Sequence, residues 1–257
     1  MARCGYVAEG LIYVLVGGFG MAVALHPGEL PQGSAGALSQ LGDAPLGMVM
    51  LAVLALGLAA FVFWQGTQAL FDPEYRSDRW TPKRLAARVG CLMNAALHAV
   101  LVGDVVWLVF GFGRPAGHGK TQALWTARAM QLPLGRWAVA ATGIGIVIFA
   151  LVQFNRAATG ARDCRVDLAH TRWRRLIRLT GQVGYAARGV TFGLVGALLL
   201  GAAWRHDATK ARGIAGALNT LREQPFGLWL LGVVAFGLIA YGIFQIAEAP
   251  FRVLREV

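Results

Sequence analysis

Acidic residues are scarce in this chain, and charge as a whole is thin. Asp and Glu number 13 among 257 residues, against 24 Lys and Arg, and 14% of the sequence is charged. Soluble domains carry about a quarter charged residues, so an ordinary water-exposed globule is excluded. Cysteine is scarce too. Three residues with no Cys-x-x-Cys exclude a disulfide framework and a dithiol redox pair. Cys4, Cys91 and Cys164 are expected as reduced, unpaired thiols. No group of His, Cys and carboxylate has metal-ligand spacing, and Cys164 and His170 stand apart from other ligands. Neither a metal nor a cofactor is expected. No nucleophile falls beside a base and an oxyanion donor, so the sequence does not read as an enzyme.

Apolar residues make up 56% of the chain, and they run in long blocks between basic clusters. Runs of 18 or more apolar residues are long enough to cross a bilayer. Six are present, over Gly5–Leu25, Leu46–Leu70, Leu85–Phe112, Leu134–Phe154, Val183–Ala203 and Phe226–Ala247. The expected fold is an all-α integral membrane protein with six transmembrane helices. The N-terminal run is long for a signal peptide and belongs to a repeat, so it is expected to remain as a helix. In such a chain the excess of Lys and Arg first reports orientation. The connections on the side of both termini carry fifteen and the opposite side eight, which places both termini in the cytoplasm. The expected location is the bacterial cytoplasmic membrane.

The runs repeat. Pro45 leads to Gly47, Gly57 and Gln65; Pro133 to Gly135, Gly145 and Gln153; Pro225 to Gly227, Gly237 and Gln245. The spacing is 2, 10 and 8 in each copy. The odd-numbered helices repeat as well: "CGYVAEGLIYVLVG" from Cys4 aligns with "VGYAARGVTFGLVG" from Val183 and, less closely, with "VGCLMNAALHAVLVG" from Val89. "GALSQLGDAPLG" from Gly36 matches "GALNTLREQPFG" from Gly216. Each unit reads as a helix, an outer loop with a short amphipathic turn, and a second helix begun by the Pro. In the third unit Ile214, Ala217, Leu218 and Leu221 give that turn its apolar face. The units, over residues 1–80, 81–172 and 173–257, form one membrane domain. They share one orientation, so they are three parallel, pseudo-symmetric hairpins about an axis along the membrane normal.

The paired "GYxARG" and "GAL…L…PFG…LLGVVAFGLIAYG" pieces resemble the bacterial membrane family called domain of unknown function 1206. The resemblance covers most of the chain and is strongest in the first and third units. It implies a six-helix membrane protein made of three helical hairpins and brings no activity with it. The Arg of "ARG" is kept as Arg188 but is Glu9 in the first unit and Asn94 in the second.

Small residues let helices approach in lipid, where little hydrophobic force acts between them. Gly189, Gly193, Ala197 and Gly201 form a ridge at four-residue spacing. Its counterparts are Gly10, Val14, Gly18 and Ala22 in the first unit, and Ala95, Ala99, Gly103 and Trp107 in the second. These ridges are expected to be helix contacts.

The polar positions inside the runs are few. Glu9, Asn94 and Arg188 occupy one repeat position near the cytoplasmic third. A buried Glu and Arg are costly apart and tolerable together, so a Glu9–Arg188 contact with Asn94 nearby is expected. His98 lies one turn after Asn94, where the other units have Tyr13 and Phe192. It is either a proton-active group or a neutral imidazole bonded to Asn94 or a carbonyl. Asp104 replaces Phe19 and Leu198 toward the outer end and is expected to face the bundle, a vestibule, or a basic residue such as Arg114 or Arg136. Gln65, Gln153 and Gln245 fall near the cytoplasmic boundary. They suit bonds between helices better than a ring around a pore.

Two apparent motifs fail. "GRPAGHGKT" has Arg114 where a phosphate loop needs Gly, and no strand precedes it. "RDCRVDLAHTRWRRLIRLTG" is basic with Trp173 interleaved, but beside a membrane it fits anionic lipid head groups, not nucleic acid. Two functions remain open. One is a structural or accessory membrane protein that binds lipid, a membrane-protein partner or a second copy. The other is a small channel or carrier for protons, ions or a small solute, using Glu9, Asn94, His98, Asp104 and Arg188.

Overall fold

All six apolar runs form helices in the computed structural model, which describes residues 2–26, 30–31, 33–71, 82–110, 120–159 and 173–251. The long helices are α1 (Ala2–Leu25), α3 (Gly47–Phe71), α4 (Pro82–Val109), α6 (Gly135–Thr159), α7 (Arg174–Arg205) and α9 (Gly227–Glu248). Each contains a span long and apolar enough to cross a membrane. Short helices α2 (Ser34–Gly42), α5 (Lys120–Met130) and α8 (Ile214–Arg222) join the two long helices of each unit. Among the described residues there is no strand. Residues 113–119 of the phosphate-loop look-alike lie outside the described residues. So do residues 162–172 of the basic connection, with Cys164 and His170.

Exposed side chains on the even-numbered spans are large and apolar, among them Val53, Leu56, Phe63, Ile144, Ile148, Val233 and Phe236. A water-soluble monomer does not present such a belt; a bilayer solvates it. The chain is a multi-pass membrane protein of three hairpin repeats.

The packing order is cyclic. α3 lies along α4, α6 along α7, and α9 returns to α1, so the second helix of each unit rests on the first helix of the next. α1 also packs on α3 and α7 on α9, within the first and third units. A Cβ on Gly10 would sit 2.6 Å from the Gly242 carbonyl oxygen, and one on Gly17 would sit 2.7 Å from that of Ala235. The repeat mates of Gly10 and Gly17 are Gly189, against the Phe154 ring at 3.0 Å, and Gly196, 3.0 Å from the Gly143 carbonyl oxygen. The contact ridge between units therefore advances seven residues at a time, two turns of helix.

This corrects the ridge expected at four-residue spacing. Gly10 and Gly189 are tight contacts, and Gly193 meets Ala150 at an ordinary 3.8 Å. Gly18, Gly103 and Gly201 have nothing within 4 Å among the described residues. Four residues advance a helix 40° past a full turn, so a ridge of fours winds away from the neighbour.

The Pro positions also differ from expectation. Helices α3, α6 and α9 begin at Gly, not at Pro. Each Pro is the second residue of a turn closed by the Gly N–H donating to the residue before Pro: Gly47 to Ala44, Gly135 to Leu132, Gly227 to Gln224, at 2.8–2.9 Å. The third residue is left-handed, with φ of 62° at Leu46, 64° at Leu134 and 58° at Phe226. Pro second and positive φ third is the type II pattern. The Gly is required because a Cβ there would overlap the last carbonyls of the preceding short helix.

Candidate functional site

The polar side chains of the spans converge where the three units meet. Arg188 of α7 is the largest fully buried side chain, at 2% exposure, and Glu9 of α1 is at 0%. Their charges face each other, with Arg188 Nη2 3.2 Å from Glu9 Oε1. Nη2 also donates to Asn94 Oδ1 on α4 at 2.6 Å. Nε donates to the Tyr13 hydroxyl at 2.8 Å, and Nη1 to the Tyr241 hydroxyl at 2.6 Å. Tyr241 in turn donates to Glu9 Oε1 at 3.3 Å, and the Gln245 amide donates to Glu9 Oε2. The expected Glu9–Arg188 contact is present, with Asn94 as the third member.

Aromatic rings close the site. The Arg188 guanidinium carbon lies 4.7 Å from the ring centre of Tyr241, 5.0 Å from Tyr13, and 5.4 Å from both Phe149 and Phe192. The negative ring faces favour the cation where water is excluded. Tyr13 meets Tyr241 edge-on at 4.8 Å, and Tyr185 meets it at 5.4 Å. One cation, one anion and neutral partners thus form a compensated cluster. Either charge alone would carry the full desolvation cost.

His98 sits at the edge of this cluster, 2% exposed. Its Nδ1 is 2.8 Å from the Asn94 carbonyl oxygen. A carbonyl only accepts, so Nδ1 carries the proton and donates. Nε2 then faces Glu9 Oε1 at 3.7 Å, and Phe61 lies edge-on at 4.9 Å. Both alternatives for His98 keep a foothold: the carbonyl bond is made, and the second nitrogen faces a carboxylate.

Other expected positions do not join. Asp104 is half-buried, with no hydrogen-bond or ion-pair partner among the described residues. Arg136 instead contacts His206, and Arg114 lies outside the described residues. The three glutamines are buried but not alike. Gln245 reaches inward to the level of Glu9, whereas neither side-chain polar atom of Gln153 has a hydrogen-bond partner among the described residues. No His, Cys and carboxylate group suited to a metal occurs among the described residues.

Sequence reasoning missed Tyr13, Tyr241, Phe149 and Phe192 as cage members, and Glu248 as a buried acid on α9. A signal for the cage was available. Residues 9, 94 and 188 share one repeat position, and residues 13, 98 and 192 another one turn on. Residues 61, 149 and 241 stand one turn before the repeated glutamines. Those positions supply almost the whole site, because each faces the common axis in its own unit.

The repeats seen in the helices are matched by the model of the family Domain of Unknown Function (DUF1206), over residues 4–72, 89–160 and 183–252. The chain is 30% identical over 252 residues to Uncharacterized protein YxxB of Bacillus subtilis (strain 168), covering 97% of this chain and 90% of the relative. No solved structure matches. Three matches in tandem, with a full-length relative, place this chain in the Domain of Unknown Function 1206 family.

Proposed function

We propose that the protein is a non-enzymatic accessory component of the bacterial cytoplasmic membrane, with both termini inside. Its polar core locks three hairpins into a scaffold for lipid and a membrane partner. One observation carries this reading. The Arg188 guanidinium is bound by groups from all three units, Glu9 and Tyr13 from the first, Asn94 from the second and Tyr241 from the third. Hydrophobic force between helices is weak in lipid, so such a polar cluster acts as glue between them. A conducting site needs ligands that exchange, whereas these groups bind one another behind four rings.

A carrier is the second reading, favoured by the 3.7 Å approach of His98 Nε2 to Glu9 Oε1. Flux measurements in proteoliposomes separate the two. The accessory reading expects wild-type protein to leave proton, potassium, sodium and chloride gradients as stable as protein-free vesicles do. A flux that is present in wild type and vanishes in His98→Ala would replace it with the carrier.

A further inference from the structure

The three hairpins share a sequence frame, yet they do not close alike. In the first, a Cβ on Gly5 would lie 2.7 Å from the Phe61 Cα; in the third, a Cβ on Gly184 would lie 2.5 Å from the Tyr241 Cα. One turn on, Ala8 packs on Gly57 and Ala187 packs on Gly237. The matching positions of the middle unit hold Gly90, Met93, Gly145 and Phe149. Among the described residues nothing lies within 4 Å of a Cβ on Gly90. Among the described residues Gly145 is reached only by the Met93 thioether, with Cε at 3.7 Å and Sδ at 3.9 Å. Methionine stands where the other units have alanine, and its length holds the two helices apart.

The two helices pack less closely than those of the other hairpins. α4 packs along α3 and α6 along α7, whereas α4 and α6 do not pack along their length. Thr142 of α6 is consequently exposed, although its repeat mates Leu54 and Val234 are buried at 5% and 7%. Gly90, Met93 and Leu97 are each more exposed than their mates in both other units. A cleft therefore opens sideways from the bilayer between α4 and α6.

Asp104 lies on the same face of α4 as Gly90, Met93 and Leu97, at helical spacing. It is half-buried in an apolar span with no partner among the described residues. Met93 and Asp104 are separated along the helix by about 17 Å at 1.5 Å per residue. One leaflet of a hydrocarbon core is roughly 15 Å deep.

We propose that this cleft binds one bilayer lipid with a primary-ammonium head group. Its acyl chain lies along Met93, Leu97 and Gly145, and its ammonium lies on Asp104. An unfilled gap in hydrocarbon forfeits dispersion contacts that a chain restores. A carboxylate at the rim selects a head group that carries an ammonium over one that carries only the phosphate's negative charge. The site deepens the lipid-binding part of the accessory reading and rests on that part alone. Gradient flux would sink the accessory reading without touching the cleft, whereas the experiment below can fail with no flux present.

The test uses the full-length chain in nanodiscs of matched composition. A tracer lipid carries a photoreactive diazirine in its acyl chain and either an ethanolamine or a glycerol head group. The ethanolamine tracer should label peptides covering residues 89–97 and 141–149, with a preference of roughly tenfold over the glycerol tracer, the size of one partly desolvated charge contact. Asp104→Asn should abolish the preference while keeping chain labelling. Met93→Ala, which copies the alanine of the other units, should let the hairpin close and cut labelling by both tracers. Equal labelling by both head groups in wild type would overturn the proposal. So would equal labelling of all three hairpins, or a cross-link from the cleft to a second copy or another protein.

Discussion

Arg188 of the third unit and Glu9 of the first meet at 3.2 Å in the centre of the bundle. Each makes the other tolerable in a low-dielectric interior. Glu9→Gln should therefore destabilise the protein by about 3–5 kcal/mol, because the buried cation loses its counter-charge. Arg188→Met should cost a similar amount by stranding the carboxylate. The double substitution should cost less than the sum by about 1–3 kcal/mol, since it strands neither. Unfolding of the four forms in one detergent measures the cycle, and additive losses would show that the two charges act independently.

The crossing of α1 and α9 predicts a contrast between neighbouring glycines. Gly10→Ala would push a methyl into the Gly242 carbonyl at 2.6 Å, with backbone that cannot rotate aside. A loss of about 1–3 kcal/mol is expected from overpacking. Gly18→Ala meets nothing within 4 Å among the described residues, so the helix gains alanine's propensity, up to about 1 kcal/mol. Melting temperatures should move in opposite directions. A drop for Gly18→Ala as large as that for Gly10→Ala would contradict the seven-residue contact ridge.

Much of this architecture was legible because it depends on period and length. Six apolar runs and a 2, 10, 8 spacing require little three-dimensional knowledge, and Glu9 and Arg188 had to be paired for either to be buried. The ridge misled because glycine spacing shows where a helix is thin, not which neighbour it meets. Gly18 and Gly201 are thin and face nothing among the described residues. The cage was harder still. Tyr13 and Tyr241 look like ordinary apolar filler in their runs, and only the meeting of separate units turns their hydroxyls toward one guanidinium. The open middle hairpin depends on one side chain, Met93, whose effect lies in a distance between helices that no single-chain pattern encodes.

The left-handed corners make the last prediction. Leu46, Leu134 and Phe226 hold φ near +60°, where a Cβ crowds the following carbonyl at a cost of roughly 1–2 kcal/mol. Their side chains are 78%, 76% and 84% exposed, so little packing within the protein offsets that cost. Leu46→Gly, Leu134→Gly and Phe226→Gly should each stabilise the detergent-solubilised protein. The gain should be about 0.5–1 kcal/mol, after subtracting the extra freedom glycine gives the unfolded chain. In a bilayer the gain should shrink, because Trp137 and Trp229 lie three residues on and continue the exposed apolar stripe of α6 and α9 from Leu134 and Phe226. Unfolding each variant in detergent and again in nanodiscs gives both numbers. An identical gain in the two media would mean that these side chains never touch lipid.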